Sequence, residues 1–446
     1  MSVTPTSFAA ALNAQRVKPL QWLITATCFL VLVCDGIDLQ LLGVVAPLVT
    51  QAFEVSRSAF GIAMMAALVG FGLGGWGGGL LGDAIGRRWT LVIAALVFSL
   101  ATVAAATADN IWLMGFWRMI AGLGFGGAYA NAVAMASEWL PDRWRPVTVS
   151  TLSVGTPIGG SIAGALGPGI AQAHGWEGTF VAFGVATLFV VVAILLVLRD
   201  SPSFLLEHGK RKQALANARL VLDNPVDLVP EEHVGDGSGG RVGVLHRSNL
   251  RLNIGIGIAF GTSALVAYGI LSWTTTFLTA AGFTLEEGGE AVFITGLSSV
   301  VGSVLAGVIM RRFGSKLVMA VLGVAMCAWM LAIGVTITGL DAAPDLASRT
   351  EVIWLVGLSG LVFSASMAGM YVLMTHGYPQ SCRSEGIGFG LFISRIGAIS
   401  AAGFGGTLLD LGAGSVWPFF GTLSAASLLV AVAAFVIDRH VPPLRR

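Results

Sequence analysis

The chain has 446 residues, of which 55% are hydrophobic and 11% charged, with a net charge of +1 and a mean hydropathy of +0.82. A soluble globular protein carries about a quarter charged residues. So little charge cannot cover a soluble surface, which excludes a soluble enzyme or nucleic-acid binder and leaves an integral membrane protein.

Twelve apolar runs follow one another at 22–50, 58–82, 89–108, 111–137, 147–172, 178–198, 252–280, 290–310, 316–337, 352–376, 385–409 and 415–437. Each is near the ~20 residues that a helix needs to cross a bilayer. They are continuous and rich in Ala, Leu, Val and Gly, unlike the short alternating segments of a barrel.

The first run holds Asp35 and Asp38. A carboxylate at bilayer depth is expensive, so an intramembrane pair marks a functional site by default. Spaced i, i+3, the two share a helix face. Burial and mutual repulsion both oppose ionising the two together, as a proton carrier requires. The plainer alternative is that one of them only hydrogen-bonds to a neighbouring helix.

After the second run come Gly79, Asp83, Gly86, Arg87 and Arg88, and after the eighth come Gly307, Arg311, Gly314 and Lys316 in the same order. The same pattern at the same ordinal place in each half indicates two parallel repeats. Such repeats place a transporter's substrate site near the midplane between them. The fourth run carries Arg118, within side-chain reach of Asp38, either as a switch between aspartate and substrate or as a static ion pair.

Residues 199–250 form the longest non-apolar stretch, with a short surface helix expected over 213–222 and a linker beyond it. The expected organisation is therefore 1–198 as an N-terminal six-helix bundle, 199–250 as a cytoplasmic central loop and 251–446 as a C-terminal six-helix bundle. The eleventh run carries Arg395, whose guanidinium suits a planar carboxylate through two parallel hydrogen bonds, or packs against backbone carbonyls of a neighbouring helix. Trp273 and Tyr371 are aromatic candidates for the same cavity, ahead of Tyr129 and Phe277; the alternative for each is packing or an interfacial anchor. His376 either binds substrate or proton or stands at the rim.

Threading the runs with a cytoplasmic N-terminus puts 21 of the 25 Lys and Arg residues on the cytoplasmic side. The positive-inside rule fixes that orientation. The expected location is a bacterial inner membrane, multi-pass, with both termini cytoplasmic. Cys28, Cys34, Cys327 and Cys382 give neither a disulfide framework nor a metal spacing, and no nucleophile–base pair lies at depth, so neither cofactor nor enzyme activity is expected.

Gly79-x-x-x-Asp83-x-x-Gly86-Arg87-Arg88 resembles the signature loop of the major facilitator superfamily, and Arg118-x-x-x-Gly122-x-Gly124-x-x-Gly127 its fourth-span motif. Asp35-Gly36-x-Asp38, with Asn131, Glu138, Tyr378-Pro379-x-x-x-Arg383 and the segment Ser201 to Lys210, is similar to the aromatic acid:proton symporter family. Two departures stand out: Arg311 where a carboxylate is usual, and His376 where a small residue is expected, which points to an altered substrate preference.

The resemblance implies an all-α membrane protein with two pseudo-symmetric six-helix bundles. It would import an aromatic carboxylate of the benzoate or hydroxybenzoate class with protons, as a monomer, by alternating access. Asp35 and Asp38 would couple protons. Asp38, Arg118, Trp273, Tyr371, Arg395 and His376 would bind substrate. Asp83, Arg87, Arg88 and Glu138 would gate, although a purely topogenic role for the arginines competes. A proton symporter of another organic anion or sugar-like metabolite, or a drug:proton antiporter, is the rival reading. A receptor would need a larger soluble output domain than this chain carries.

Overall fold

The computed structural model describes residues 6–222, 228–230, 243–341, 344–379 and 382–443. The helices are α1 (Phe8–Asn13), α2 (Pro19–Val44), α3 (Ala46–Ala52), α4 (Arg57–Ile85), α5 (Arg87–Ala105), α6 (Ile111–Glu138), α7 (Arg145–Ser153) and α8 (Gly155–Val197) in the first half. The short α9 (Pro202–Glu207) and α10 (Arg211–Ala218) follow, then α11 (Leu250–Ala280), α12 (Leu285–Phe313), α13 (Ser315–Thr338), α14 (Leu346–Gly377), α15 (Arg383–Leu411) and α16 (Trp417–Val436).

Eleven helical stretches among the described residues are long and apolar enough to span. The longest, 145–197, contains Gly175 at φ 72° and ψ 175°, a left-handed conformation that breaks α8 into two arms and supplies the fifth and sixth passes. The architecture is therefore an all-α membrane protein of two six-pass bundles. The first expected run, 22–50, ends early: α2 stops at Val44, and Pro47 opens the separate α3. The surface helix expected over 213–222 is α10, displaced toward the N-terminus. Residues 223–227 and 231–242 of the expected linker lie outside the described residues.

The short helices α1, α9 and α10 and the described residues after α16 share one face, here the terminal face; the other is the distal face. Several helices that start at the distal face are capped by polar side chains. Ser56 accepts from the Ala59 N–H, Asn110 from Trp112 and Leu113, and Asp345 from Ser348, while Thr284 and Glu287 form a reciprocal capping box. Such caps satisfy N–H groups with no partner inside the helix, each worth about 1 kcal/mol.

The internal repeat shows in the backbone. Gly86, between α4 and α5, has φ 97° and ψ 150°, and Gly314, between α12 and α13, has φ 81° and ψ 149°. Each ends one helix and starts the next. A side chain at either would sit in a strained conformation.

The bundles meet mainly through α4 with α15, α8 with α12 and α2 with α11. Hydrogen bonds joining them gather from the midplane to the distal face. Gln40 donates to the Leu271 carbonyl and Thr275 to that of Gly43. Ser161 Oγ donates to the Phe293 carbonyl at 3.0 Å, and Asp410 Oδ2 accepts from the Ser58 N–H at 3.0 Å. Glycines allow this closeness: a Cβ on Gly61, Gly164 or Gly406 would run into backbone of the opposite bundle.

Candidate functional site

Glycines also set the first charged centre. A Cβ on Gly36 would collide with the Thr156 backbone, and one on Gly159 with the Val33 carbonyl, so α2 and the first arm of α8 touch backbone to backbone. This contact brings the Thr156 hydroxyl to 3.2 Å from Asp35 Oδ2. The other carboxyl oxygen of Asp35 is buried and has no hydrogen-bond partner.

Asp38 is in a different situation. Three residues further along α2, it is rotated by about 60° from Asp35. Arg118 donates from Nη1 to Asp38 Oδ1 at 2.7 Å and from Nη2 to the Asp38 carbonyl at 2.9 Å, while Nη2 lies 2.7 Å from Oδ2. Thr102 of α5 donates to Oδ1 at 2.6 Å. Arg118 is only 1% exposed and its guanidinium faces the Phe180 ring at 5.8 Å. Asp38 and Arg118 thus form a buried, hydrogen-bonded ion pair between helices of the first bundle. The two aspartates, expected to act as one coupled pair, have separate partners.

The second centre belongs to α15. Arg395 Nη1 donates to the Tyr268 hydroxyl of α11 at 3.2 Å, and its guanidinium lies 4.0 Å from the centre of the Phe71 ring of α4. The phenols of Tyr129 and Tyr371 and the carboxyl of Asp35 are within its electrostatic reach. Asp35 and Arg395 are not in ion-pair contact among the described residues. The chain has four tyrosines, so three of them converge on this one guanidinium. Tyr371 also packs edge-on against Phe260, with ring centres 5.4 Å apart.

Tyr371 is 42% exposed, so protein covers this side of the centre incompletely, and Tyr129 of the opposite bundle is within electrostatic reach of it. On the distal side of Tyr268 the space narrows to a cavity of about 20 Å³, bordered by Gln40, Met64, Arg118, Tyr268 and Leu271. That holds a water molecule; an aromatic ring needs nearer ~150 Å³. That cavity is therefore too small to admit an aromatic ring.

Several expected site residues fall elsewhere. Trp273 is fully buried, donates its indole N–H to the Ala401 carbonyl at 3.2 Å and packs edge-on against Phe60. It is part of the distal seal. Its polar handle is already satisfied, which corrects its assignment to the cavity. Phe277 is buried against Phe419 and Phe420. His376 is exposed in the last turn of α14, at the rim and not in the cleft.

The rim residues form a network within the first bundle. Arg87 Nη2 lies 2.6 Å from Asp83 Oδ1 and its Nε donates to Glu138 Oε1 at 3.2 Å. The Arg88 backbone N–H donates to Asp200 Oδ1 at 3.2 Å and its guanidinium to the Leu195 carbonyl at 2.9 Å. Asn131 ties α6 to α4 by donating to the Gly78 carbonyl, and also donates to the Gly127 carbonyl of its own helix, both at 2.8 Å.

Tyr268, Phe71, Thr102 and Thr156 are not among the residues that the sequence singles out. Tyr268 carries a usable signal: a phenol in an apolar run needs a polar partner, and tyrosine is rare here beside 24 phenylalanines. Phe71 and the two threonines carry none, because nothing local distinguishes them from lipid-facing or packing residues.

Two bundles of six passes, related by a repeat and meeting around buried charged side chains, match a known family. The Major Facilitator Superfamily model matches residues 28–344. The chain belongs to the major facilitator superfamily. It is a membrane transporter and not an enzyme. Among similar proteins is a 4-hydroxybenzoate transporter of Pseudomonas aeruginosa, 28% identical over 96% of this chain and 94% of its own length. A gallate transporter of Pseudomonas putida is 29% identical over 96% and 94%. A 3-(3-hydroxy-phenyl)propionate transporter of Escherichia coli is 27% identical over 92% of both chains. Among solved structures, the inward-open xylose transporter XylE from Escherichia coli superposes with a TM-score of 0.71 at 17% identity, covering 94% of this chain and 97% of that one, a likeness of fold.

Proposed function

We propose that this transporter imports an aromatic carboxylate together with at least one proton, by alternating access. The single observation that carries the reading is the Arg395 centre. An in-plane fork of N–H donors, with one bond spent on Tyr268, lies in a partly exposed, aromatic-lined site. A guanidinium of this kind grips a carboxylate through two parallel hydrogen bonds, and the surrounding rings accept an aromatic one. The names of the similar proteins point to the same substrate class, benzoates and hydroxylated benzoates among them.

The roles of the two aspartates differ in this reading. Asp38 is neutralised by Arg118 and keeps α2, α5 and α6 together. Asp35 carries the proton: one of its oxygens lacks a partner and its carboxyl is within electrostatic reach of Arg395. A carboxylate entering a negative-inside cell alone moves against the field, at about 2.3 kcal/mol per 100 mV. One accompanying proton removes that cost.

With the basic face in the cytoplasm, the terminal face is cytoplasmic, the membrane is the bacterial inner membrane and the cleft faces inward. The Asp83–Arg87–Glu138 network would act as a gate at its mouth, and a monomer would be sufficient.

Uptake of labelled benzoate, 4-hydroxybenzoate and gallate into proteoliposomes, with and without an inward proton gradient, tests this. Gradient-driven accumulation of at least one is expected. Asp35→Asn should abolish accumulation and retain exchange of substrate across the membrane. Wild-type accumulation by Asp35→Asn, or uptake indifferent to the gradient, would sink the coupling scheme.

A further inference from the structure

Arg395 rests on a ring that belongs to the opposite bundle. The guanidinium carbon lies 4.0 Å from the centre of the Phe71 ring, within van der Waals contact and close enough for a cation–π interaction. The other cation–ring contacts among the described residues lie at 5.1 to 5.8 Å, each within one bundle. Stacking occupies the face of a guanidinium and leaves its in-plane N–H fork free. Tyr268 takes one part of that fork.

Phe71 is itself held firmly. Gly122 and Gly126 let α6 press against α4, and a Cβ on either would run into the backbone of Phe71 or its neighbours. The Tyr129 ring flanks it, with centres 6.2 Å apart and planes at 57°.

We propose that Phe71 is a positioning residue for the carboxylate site. Its ring holds the face of the Arg395 guanidinium, Tyr268 holds one edge, and the remaining edge is thereby presented to the incoming carboxylate. Phe71 moves with one bundle and Arg395 with the other, so the grip is tied to the relative position of the bundles. This rests on Arg395 as the carboxylate-binding group.

The test measures equilibrium binding and proteoliposome uptake of benzoate, 4-hydroxybenzoate and gallate for Phe71→Leu, Phe71→Trp and Arg395→Lys. Phe71→Leu keeps the apolar volume and removes the π-face. Kd and KM should rise about ten-fold, with maximal rate and thermal stability near wild type. Phe71→Trp restores a π-face and should recover most of the affinity. Wild-type affinity in Phe71→Leu overturns the proposal, as does a tryptophan variant no better than the leucine one. A maximal rate that falls with unchanged Kd also overturns it. Unaltered binding by Arg395→Lys refutes instead the carboxylate site on which the proposal rests, whatever the Phe71 variants do.

Discussion

Arg118 and Arg395 are both mid-membrane guanidiniums, one in each bundle, and their surroundings differ in kind. Arg118 is 1% exposed and bound to Asp38 through its side chain and its carbonyl, within a single bundle. Among the described residues Arg395 has one hydrogen bond, to the Tyr268 phenol, and its ring contact crosses to the other bundle. The difference teaches how a membrane protein separates structure from function. A buried charge that has found its counter-charge is spent on holding helices together. A charge set against a phenol and a ring face, with its nearby carboxyl out of ion-pair contact, keeps donors that can bind an anion.

The comparison can be broken most severely at Arg118. Arg118→Ala leaves Asp38 buried without its counter-charge, at a cost of about 3–5 kcal/mol. Loss of folded protein from the membrane is expected, read by yield and by thermal unfolding in detergent. Adding Asp38→Asn should recover much of the folded protein without restoring full transport. If Arg118→Ala folds normally, the pair is not structural.

Arg395→Ala should behave in the opposite way. Arg395 is only partly buried and makes no ion pair among the described residues, so folding and thermal stability should be near wild type. Carboxylate affinity should fall by roughly 2 kcal/mol or more, about thirty-fold at least, in a direct binding assay. Comparable destabilisation by the Arg118 and Arg395 variants would erase the distinction between the two centres.

A smaller effect is expected from Tyr268→Phe, which removes only the phenol oxygen from Arg395. A single hydrogen bond is worth about 0.5–1.5 kcal/mol, so KM should rise a few-fold with maximal rate retained. Thr102→Val, at the buried ion pair, should instead lower thermal stability by a similar energy and leave KM alone. An effect of Tyr268→Phe on stability and of Thr102→Val on KM would invert the assignment.

The two rims differ in a related way. The first repeat carries the Asp83–Arg87–Glu138 network beside Gly86. Its counterpart beside Gly314 has instead Ser315, whose hydroxyl pairs with His440 at 3.0 Å and accepts from the Val441 N–H at 2.9 Å. Arg311 stands where a carboxylate would complete the matching pattern, and there the C-terminal tail, not an ion network, straps the loop. The backbone repeat survives in both halves although its side-chain chemistry does not.

Hydropathy alone determined that this chain crosses a membrane about twelve times, because each pass must satisfy its own backbone within a single helix. The glycine-and-charge pattern determined that the halves repeat, since a left-handed glycine between helices is a local requirement. The expense of charge in lipid was enough to mark Asp35, Asp38, Arg118 and Arg395 from their positions along the chain. Tertiary structure alone decided which charge met which: a rotation of about 60° on one helix separates Asp38, facing Arg118, from Asp35, facing Thr156 of α8. It also decided that Trp273 seals and Tyr371 lines, that His376 lies at the rim, and that Phe71 and Tyr268 flank Arg395. Those outcomes depend on how helices distant in sequence are rotated against one another. Packing at glycine contacts fixes that rotation, and no local run of residues encodes it.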